Sequence, residues 1–343
     1  MASSIRPAAF SAFACSLRSL SFATRFPDCA PLRPIYGLPE RLRKALDPGK
    51  GARNLTFERR TVLTHDKLRL DVRAFKGGAK TPVLCIPGLT RNAADFEDFA
   101  PLAASTGRDV FAISLRGRGL SDYDAAYLNY VPPTYVGDVL GALDQLGAPK
   151  AIFVGTSLGG IVTMLTAAAA PARVAAAVIN DVGPEFAPEG IARIAGYVGA
   201  RAEQGGGYAP ARDLDAAIDE IRAINEVAFP GRDRTFWEKF ARRTYNPQPD
   251  GSWRLAYDPA IGRALLEAGP APDLWTPFAR LSGIVTLIVR GAISDLLTPP
   301  IIEKMRAVNA RFDYAEVADV GHAPMLTEPD AWDAIRAFLL RFD

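Results

Sequence analysis

From residue 55 onward, short and wholly apolar runs recur along the chain: 83–86, 110–113, 151–154, 175–179 and 284–289. Each is only a few residues long and most are rich in β-branched side chains. A strand covered by helices on both faces has no polar side to show, so runs of this kind predict the inner strands of a parallel sheet. Two earlier segments, 55–62 and 68–74, flank a polar turn at 64–67 and predict an antiparallel pair at the start of that sheet. A further short strand is expected at 314–317. Helical spacing fills the intervals. Residues 135–146 place Val136, Val139, Leu140, Leu143 and Leu146 on one face. Residues 161–170 are almost entirely apolar, as a buried helix would be, and 300–308 and 331–340 follow the late strands. The alternation predicts an α/β protein, a doubly wound and mostly parallel sheet with right-handed crossovers.

One interval departs from the alternation. Residues 184–272 carry helix candidates at 191–200, 214–227 and 236–243, a glycine cluster at 205–207 and a turn at 249–251. That is too long for a crossover and predicts an inserted helical lid above the carboxyl edge of the sheet. The chain then divides into an arm (1–54), a first core part (55–183), the lid (184–272) and a second core part (273–343). The arm is rich in arginine and serine with no acid before Asp28, and Pro31, Pro34, Pro39 and Pro48 punctuate its second half. It reads as a disordered arm, a start-site extension, or, through 1–27, an organelle-targeting peptide. The expected location is the cytoplasm, with an organelle as the alternative.

Composition narrows the chemistry. The 343 residues are 49% hydrophobic and 23% charged, with a net charge of +2 and the two signs interspersed, which gives no footing for a nucleic-acid partner. No run reaches the length of a membrane-spanning helix. Three cysteines (Cys15, Cys29, Cys85) form neither a disulfide framework nor a zinc motif. The chain holds only two histidines, His65 and His322, so a multi-histidine metal site is excluded and a histidine base has two candidates.

After the run 151–154 comes Gly155-Thr156-Ser157-Leu158-Gly159-Gly160, then the apolar helix. A serine between a buried strand and a buried helix must sit on a sharp turn, and glycines two positions either side leave room for it. The helix that follows aims its free N–H groups at the serine. A serine hydroxyl needs a base. His322, in Val320-Gly321-His322-Ala323-Pro324, leaves the same sheet edge, whereas His65 lies in a polar early turn. The base needs a carboxylate to hold its tautomer. Asp295, in the segment following 284–289, is the expected acid, and Asp181, in Asn180-Asp181-Val182-Gly183-Pro184, is the alternative. The oxyanion of an acyl-transfer intermediate needs two backbone donors; Leu158 N–H and Leu89 N–H, the latter in Pro87-Gly88-Leu89-Thr90, are the candidates.

With these segments, Arg116-Gly117-Arg118-Gly119-Leu120-Ser121-Asp122 and Gly321-His322-Ala323-Pro324, the chain from residue 55 resembles the α/β-hydrolase family, in its lid-bearing esterase and carbon–carbon hydrolase branch. The resemblance departs at Pro87, where the family often has histidine, a change that leaves the backbone donor intact. It implies hydrolysis of a carboxylic ester or related acyl bond on a small molecule, with neither metal nor organic cofactor. Carbon–carbon cleavage beside a ketone is the alternative reaction, and a small-molecule receptor on the same fold is the alternative of another kind. Substrate identity and oligomeric state are not legible.

Overall fold

The computed structural model describes residues 56–202, 209–267, 269 and 272–343. The expectations for the arm 1–54 and for glycines 205–207 fall outside these residues.

Seven strands form one sheet: β1 (Glu58–Leu63), β2 (Arg69–Ile86), β3 (Arg108–Ile113), β4 (Ala151–Thr156), β5 (Val174–Asn180), and, after a small two-stranded ribbon of β6 (Tyr245–Pro247) and β7 (Trp253–Leu255), β8 (Thr286–Gly291) and β9 (Asp313–Val317). The spatial order is β1-β2-β4-β5-β8-β9, with β3 paired to β2 off that path. From β2 to β4, β5, β8 and β9 every pairing is parallel, whereas β1 pairs antiparallel with β2. The apolar runs became these inner strands for the reason anticipated. Val83, Leu84, Cys85 and Ile86 are fully buried, as are Ile152, Phe153 and Val154. Burial also pushes the Cys85 thiol well up, which marks it as packing rather than chemistry.

One element differs from expectation. The segments 68–74 and 83–86 belong to one continuous β2, folded back on itself at Gly77 and Gly78. Val72 lies opposite Ile113 and Phe75 opposite Val110, whereas Val83 lies opposite Val110 and Cys85 opposite Ala112, so the chain has reversed between them. A side chain at Gly77 would meet the Ala104 and Arg108 carbonyls at 2.3 Å, and Gly78 has φ +148°. Only glycine makes that reversal.

The core helices are α1 (Phe99–Ala104), α2 (Pro132–Gln145) and α3 (Leu158–Ala169), followed by α4 (Pro188–Ala202), α5 (Leu214–Asn225), α6 (Arg234–Thr244) and α7 (Ala260–Glu267) of the inserted interval, then α8 (Trp275–Arg280), α9 (Pro299–Val308) and α10 (Pro329–Leu339). The inserted interval is helical as expected, with the β6–β7 ribbon added around the turn at 249–251. Asp213 and Asp233 cap α5 and α6 by accepting from Ala216 N and Phe236 N. Phe229, Trp237 and Phe240 are buried against one another in its core, with ring centroids 5.9–6.3 Å apart.

Candidate active site

Ser157 stands where β4 ends and α3 begins, with φ 52° and ψ −114°, a left-handed conformation that costs a non-glycine residue free energy. Its surroundings hold it there. A Cβ on Gly155 would lie 2.3 Å from the Gly159 carbonyl, and one on Gly159 would lie 2.0 Å from the Ile86 carbonyl. Both glycines therefore let the turn close against its own helix and against β2. Ser157 N–H donates to Asn180 O at 2.9 Å, tying the turn to the end of the neighbouring strand β5.

The histidine comes from the loop after β9. His322 Nε2 is 2.9 Å from Ser157 Oγ, and its Nδ1 is 2.9 Å from Asp181 Oδ2. With a carboxylate on Nδ1, the proton belongs there, and Nε2 is left to accept from the serine hydroxyl. Only 10% of the His322 side chain is exposed and none of Asp181.

The expected acid, Asp295, is not on the histidine, and that expectation is corrected: the carboxylate beside His322 is Asp181, the alternative. The reason is local. Asp181 follows β5 at once with φ 55°, which turns it into the site, where Oδ1 accepts Gly291 N at 2.8 Å and Oδ2 accepts Ser294 Oγ at 2.7 Å as well as His322. In the loop after β8 it is Ser294, one residue earlier than Asp295, that faces the histidine's partner. Asp295 instead receives both Nε and Nη2 of Arg193 from α4, at 2.6 and 2.9 Å. Burial alone would raise the Asp295 carboxyl, but the Arg193 bonds outweigh it and hold the group below its ordinary value.

The two expected oxyanion donors come from different elements. Leu158 opens α3, and Leu89 sits in the turn after β2, closed by Arg91 N–H donating to Gly88 O at 3.2 Å. A Cβ built on Gly88 would lie 3.7 Å from Ser157 Cβ, so this turn runs directly against Ser157. Among the described residues neither amide donates to a protein acceptor, which leaves both N–H groups available to a ligand. From α4, Arg193 takes Asp295, and Tyr197, one turn on and on the same face, lies close to Thr90 in the turn after β2. Burial raises the Tyr197 phenol, so it stays protonated.

Sequence reasoning missed Ser294, Arg193 and Asn180, whose Nδ2 donates to Thr156 Oγ1 at 3.1 Å and to Pro324 O at 2.8 Å, bracing the serine turn and the histidine loop together. An Asn-Asp pair at the end of a buried strand was the available signal. Away from this site, His65, Asp66 and Asp138 bring ligand atoms within 4.8 Å of one another. Arg116 already occupies both carboxylates, so a cation there would have to displace a guanidinium.

Comparison with known proteins agrees with this architecture. Residues 83–335 match the Alpha/beta hydrolase family. The chain belongs to that family and is a hydrolytic enzyme. It is similar to the 3-hydroxybutyrate-oligomer hydrolase of Cupriavidus necator, 31% identical over 258 residues that cover 72% of this chain and 84% of the relative. The 2-(acetamidomethylene)succinate hydrolase of Mesorhizobium japonicum is 27% identical over 238 residues, 69% of this chain and 79% of that one. The crystal structure of an alpha/beta hydrolase from Novosphingobium aromaticivorans superposes with a TM-score of 0.75 at 40% identity, covering 83% of this chain and 98% of that one. No helix among the described residues is long and apolar enough to cross a membrane.

Proposed function

We propose that the protein hydrolyses carboxylic esters through an acyl-enzyme on Ser157. The observation that carries the reading is the unbroken hydrogen-bonded chain Ser157 Oγ, His322 Nε2, His322 Nδ1, Asp181 Oδ2, with both contacts at 2.9 Å. His322 takes the serine proton as Oγ attacks the ester carbonyl. Asp181 orients the imidazole and balances the imidazolium charge, Leu89 N–H and Leu158 N–H hold the oxyanion, and the proton then passes to the departing alcohol. Water attacks the acyl-enzyme by the same route with His322 as base. Nothing in the scheme requires a metal or an organic cofactor.

The insert is proposed to act as the lid, with α4 strapped across the site between Asp295 and Thr90. Because the relative from Cupriavidus necator is named for 3-hydroxybutyrate oligomers, esters of short hydroxy acids are the substrate class to test first. The other relative, named for an acetamidomethylene succinate, favours carbon–carbon or amide-type cleavage as the second reading. A panel of p-nitrophenyl esters of graded length, a hydroxybutyrate dimer and one vinylogous diketone distinguishes these. Ester turnover many times per site, lost by several orders of magnitude in Ser157→Ala, is the expected result. Stoichiometric binding without turnover on every compound would favour a receptor, and turnover of the diketone alone would favour carbon–carbon cleavage.

A further inference from the structure

Arg118 is fully buried, yet among the described residues no carboxylate pairs with it. Three nearby acids, Asp66, Asp124 and Asp138, engage Arg116 instead, and a fourth, Asp258, accepts from Tyr130 Oη at 2.6 Å. Buried arginines ordinarily have an anionic partner, because a desolvated charge is costly. Arg118 is solvated by dipoles and rings. Its Nε donates to Leu89 O at 2.9 Å, its Nη1 donates to Arg116 O at 2.7 Å and to Tyr135 Oη at 2.9 Å, and the rings of Tyr135 and Tyr130 lie 4.8 and 5.5 Å from the guanidinium carbon. Its Nη2 has no partner.

The backbone around Arg118 is built to hold it inward. Gly117 and Gly119 have φ +74° and +61°, and a Cβ at Gly117 would meet the Tyr130 ring at 2.8 Å. From the outer side the insert closes the loop, with Gly119 N–H donating to Ala256 O and Asp258 N–H donating to Gly117 O, at 2.6 and 2.8 Å.

Resting on the acyl-enzyme reading above, we infer that Arg118 is the positioning residue of the turn that carries the Leu89 N–H. Holding the Leu89 carbonyl restrains the peptide unit that follows Leu89, and with it the adjoining unit that carries the Leu89 N–H, in a turn that runs beside Ser157. A misplaced donor costs the developing oxyanion more than it costs the neutral ester, so kcat should fall with little change in KM when Arg118 is altered.

The test uses the full chain with Arg118→Gln, Arg118→Lys and Tyr135→Phe, assayed on p-nitrophenyl butyrate. Active sites are counted by fluorophosphonate titration, and the inhibition constant of a trifluoromethyl ketone, which forms a tetrahedral adduct on the serine, is measured alongside thermal unfolding. For Arg118→Gln we expect kcat per titrated site to fall about 100-fold, KM to stay within about twofold, and ketone affinity to fall by the same factor as kcat/KM. Tyr135→Phe, which only loosens the guanidinium, should lose about 3- to 10-fold with the same signature. If Arg118→Gln does not fold, Arg118→Lys and Tyr135→Phe decide. A lowered melting temperature with unchanged kcat per site in both would overturn the inference. A wild-type protein that neither labels nor turns over would instead refute the acyl-enzyme reading itself, so the two failures are distinct.

Discussion

At the scale of single residues, the decisive assignment is between two aspartates that end neighbouring strands. Asp181 spends both oxygens on the site: one on the Gly291 amide, the other shared by Ser294 and His322. Replacing it by asparagine keeps the volume but places an amide where only an acceptor fits, so His322 is driven to the wrong tautomer. Asp181→Asn should lower kcat by about 10⁴-fold in a protein that still folds. Asp295→Asn breaks the two-pronged bond to Arg193 and frees α4, an effect on binding, so KM should rise several-fold with kcat changed far less. Steady-state kinetics of both variants, with folding checked by circular dichroism, would reverse the assignment if the ranking came out the other way. Sequence reasoning reached the serine and the histidine because each announces itself: a glycine-flanked turn after an apolar strand, and one of only two histidines in the chain. The carboxylate was harder because both aspartates follow strands, and the choice turns on a one-residue difference in the loop after β8 that sends Ser294 inward and Asp295 toward the insert.

At the scale of elements, the glycines divide into those that the fold requires and those that it merely tolerates. Gly159 is of the first kind, since its Cβ would lie 2.0 Å from the Ile86 carbonyl, a backbone atom that cannot yield without moving β2 and the turn that follows it. Gly159→Ala should cost about 2–3 kcal/mol of stability and most of the activity. Gly137 and Gly141 are of the second kind. They lie within α2, and a Cβ at either meets nothing within 4 Å. Alanine there removes backbone freedom from the unfolded chain without strain, so each substitution should add about 0.5–1 kcal/mol, read as a higher urea midpoint at unchanged kcat. The periodicity that predicted α2 from Val136, Val139 and Leu143 could not distinguish these glycines from necessary ones, because it records which face is apolar and not what stands opposite each Cβ. For the same reason two strand segments looked separate although β2 is one element: local pattern shows strands on either side of Gly77-Gly78, while their continuity depends on the contact with β3 and on the carbonyls of Ala104 and Arg108.

At the scale of the whole molecule, two clamps join distant parts of the chain. The first is Arg116, which gathers Asp66 from the turn after β1, Asp124 from the loop beyond β3, and Asp138 from α2, with bonds of 2.6–3.1 Å. The hydrogen bonds from Arg116 depress Asp66 from 3.8 to about 2, so its contribution to stability is complete above its ordinary value and is lost as pH falls from there toward 2. Asp138 runs the other way, since burial raises it despite the same guanidinium, and protonating it relieves a cost. Asp66→Asn should therefore destabilise the protein by about 1 kcal/mol at neutral pH, allowing for partial exposure, and by almost nothing near pH 2. Chemical denaturation at several pH values would show the difference closing if the sign is right. The second clamp joins the insert to the His322 loop: Gly321 N–H donates to Ala228 O at 2.7 Å, and a Cβ on Gly321 would lie 2.9 Å from Ala228 Cα. Ala228 lies between α5 and α6, so the insert is not a cover resting on a finished site but a support for the residue next to His322. Gly321→Ala forces that backbone contact apart and shifts the imidazole relative to Ser157. We expect kcat to fall by about 10- to 100-fold, the cost of a displacement approaching 1 Å in a reacting group, with KM less affected. The rate of fluorophosphonate labelling should fall in step, because it needs the same base. Were KM to rise alone, with labelling unchanged, the insert would govern only how substrate binds and the histidine loop would hold its geometry without it.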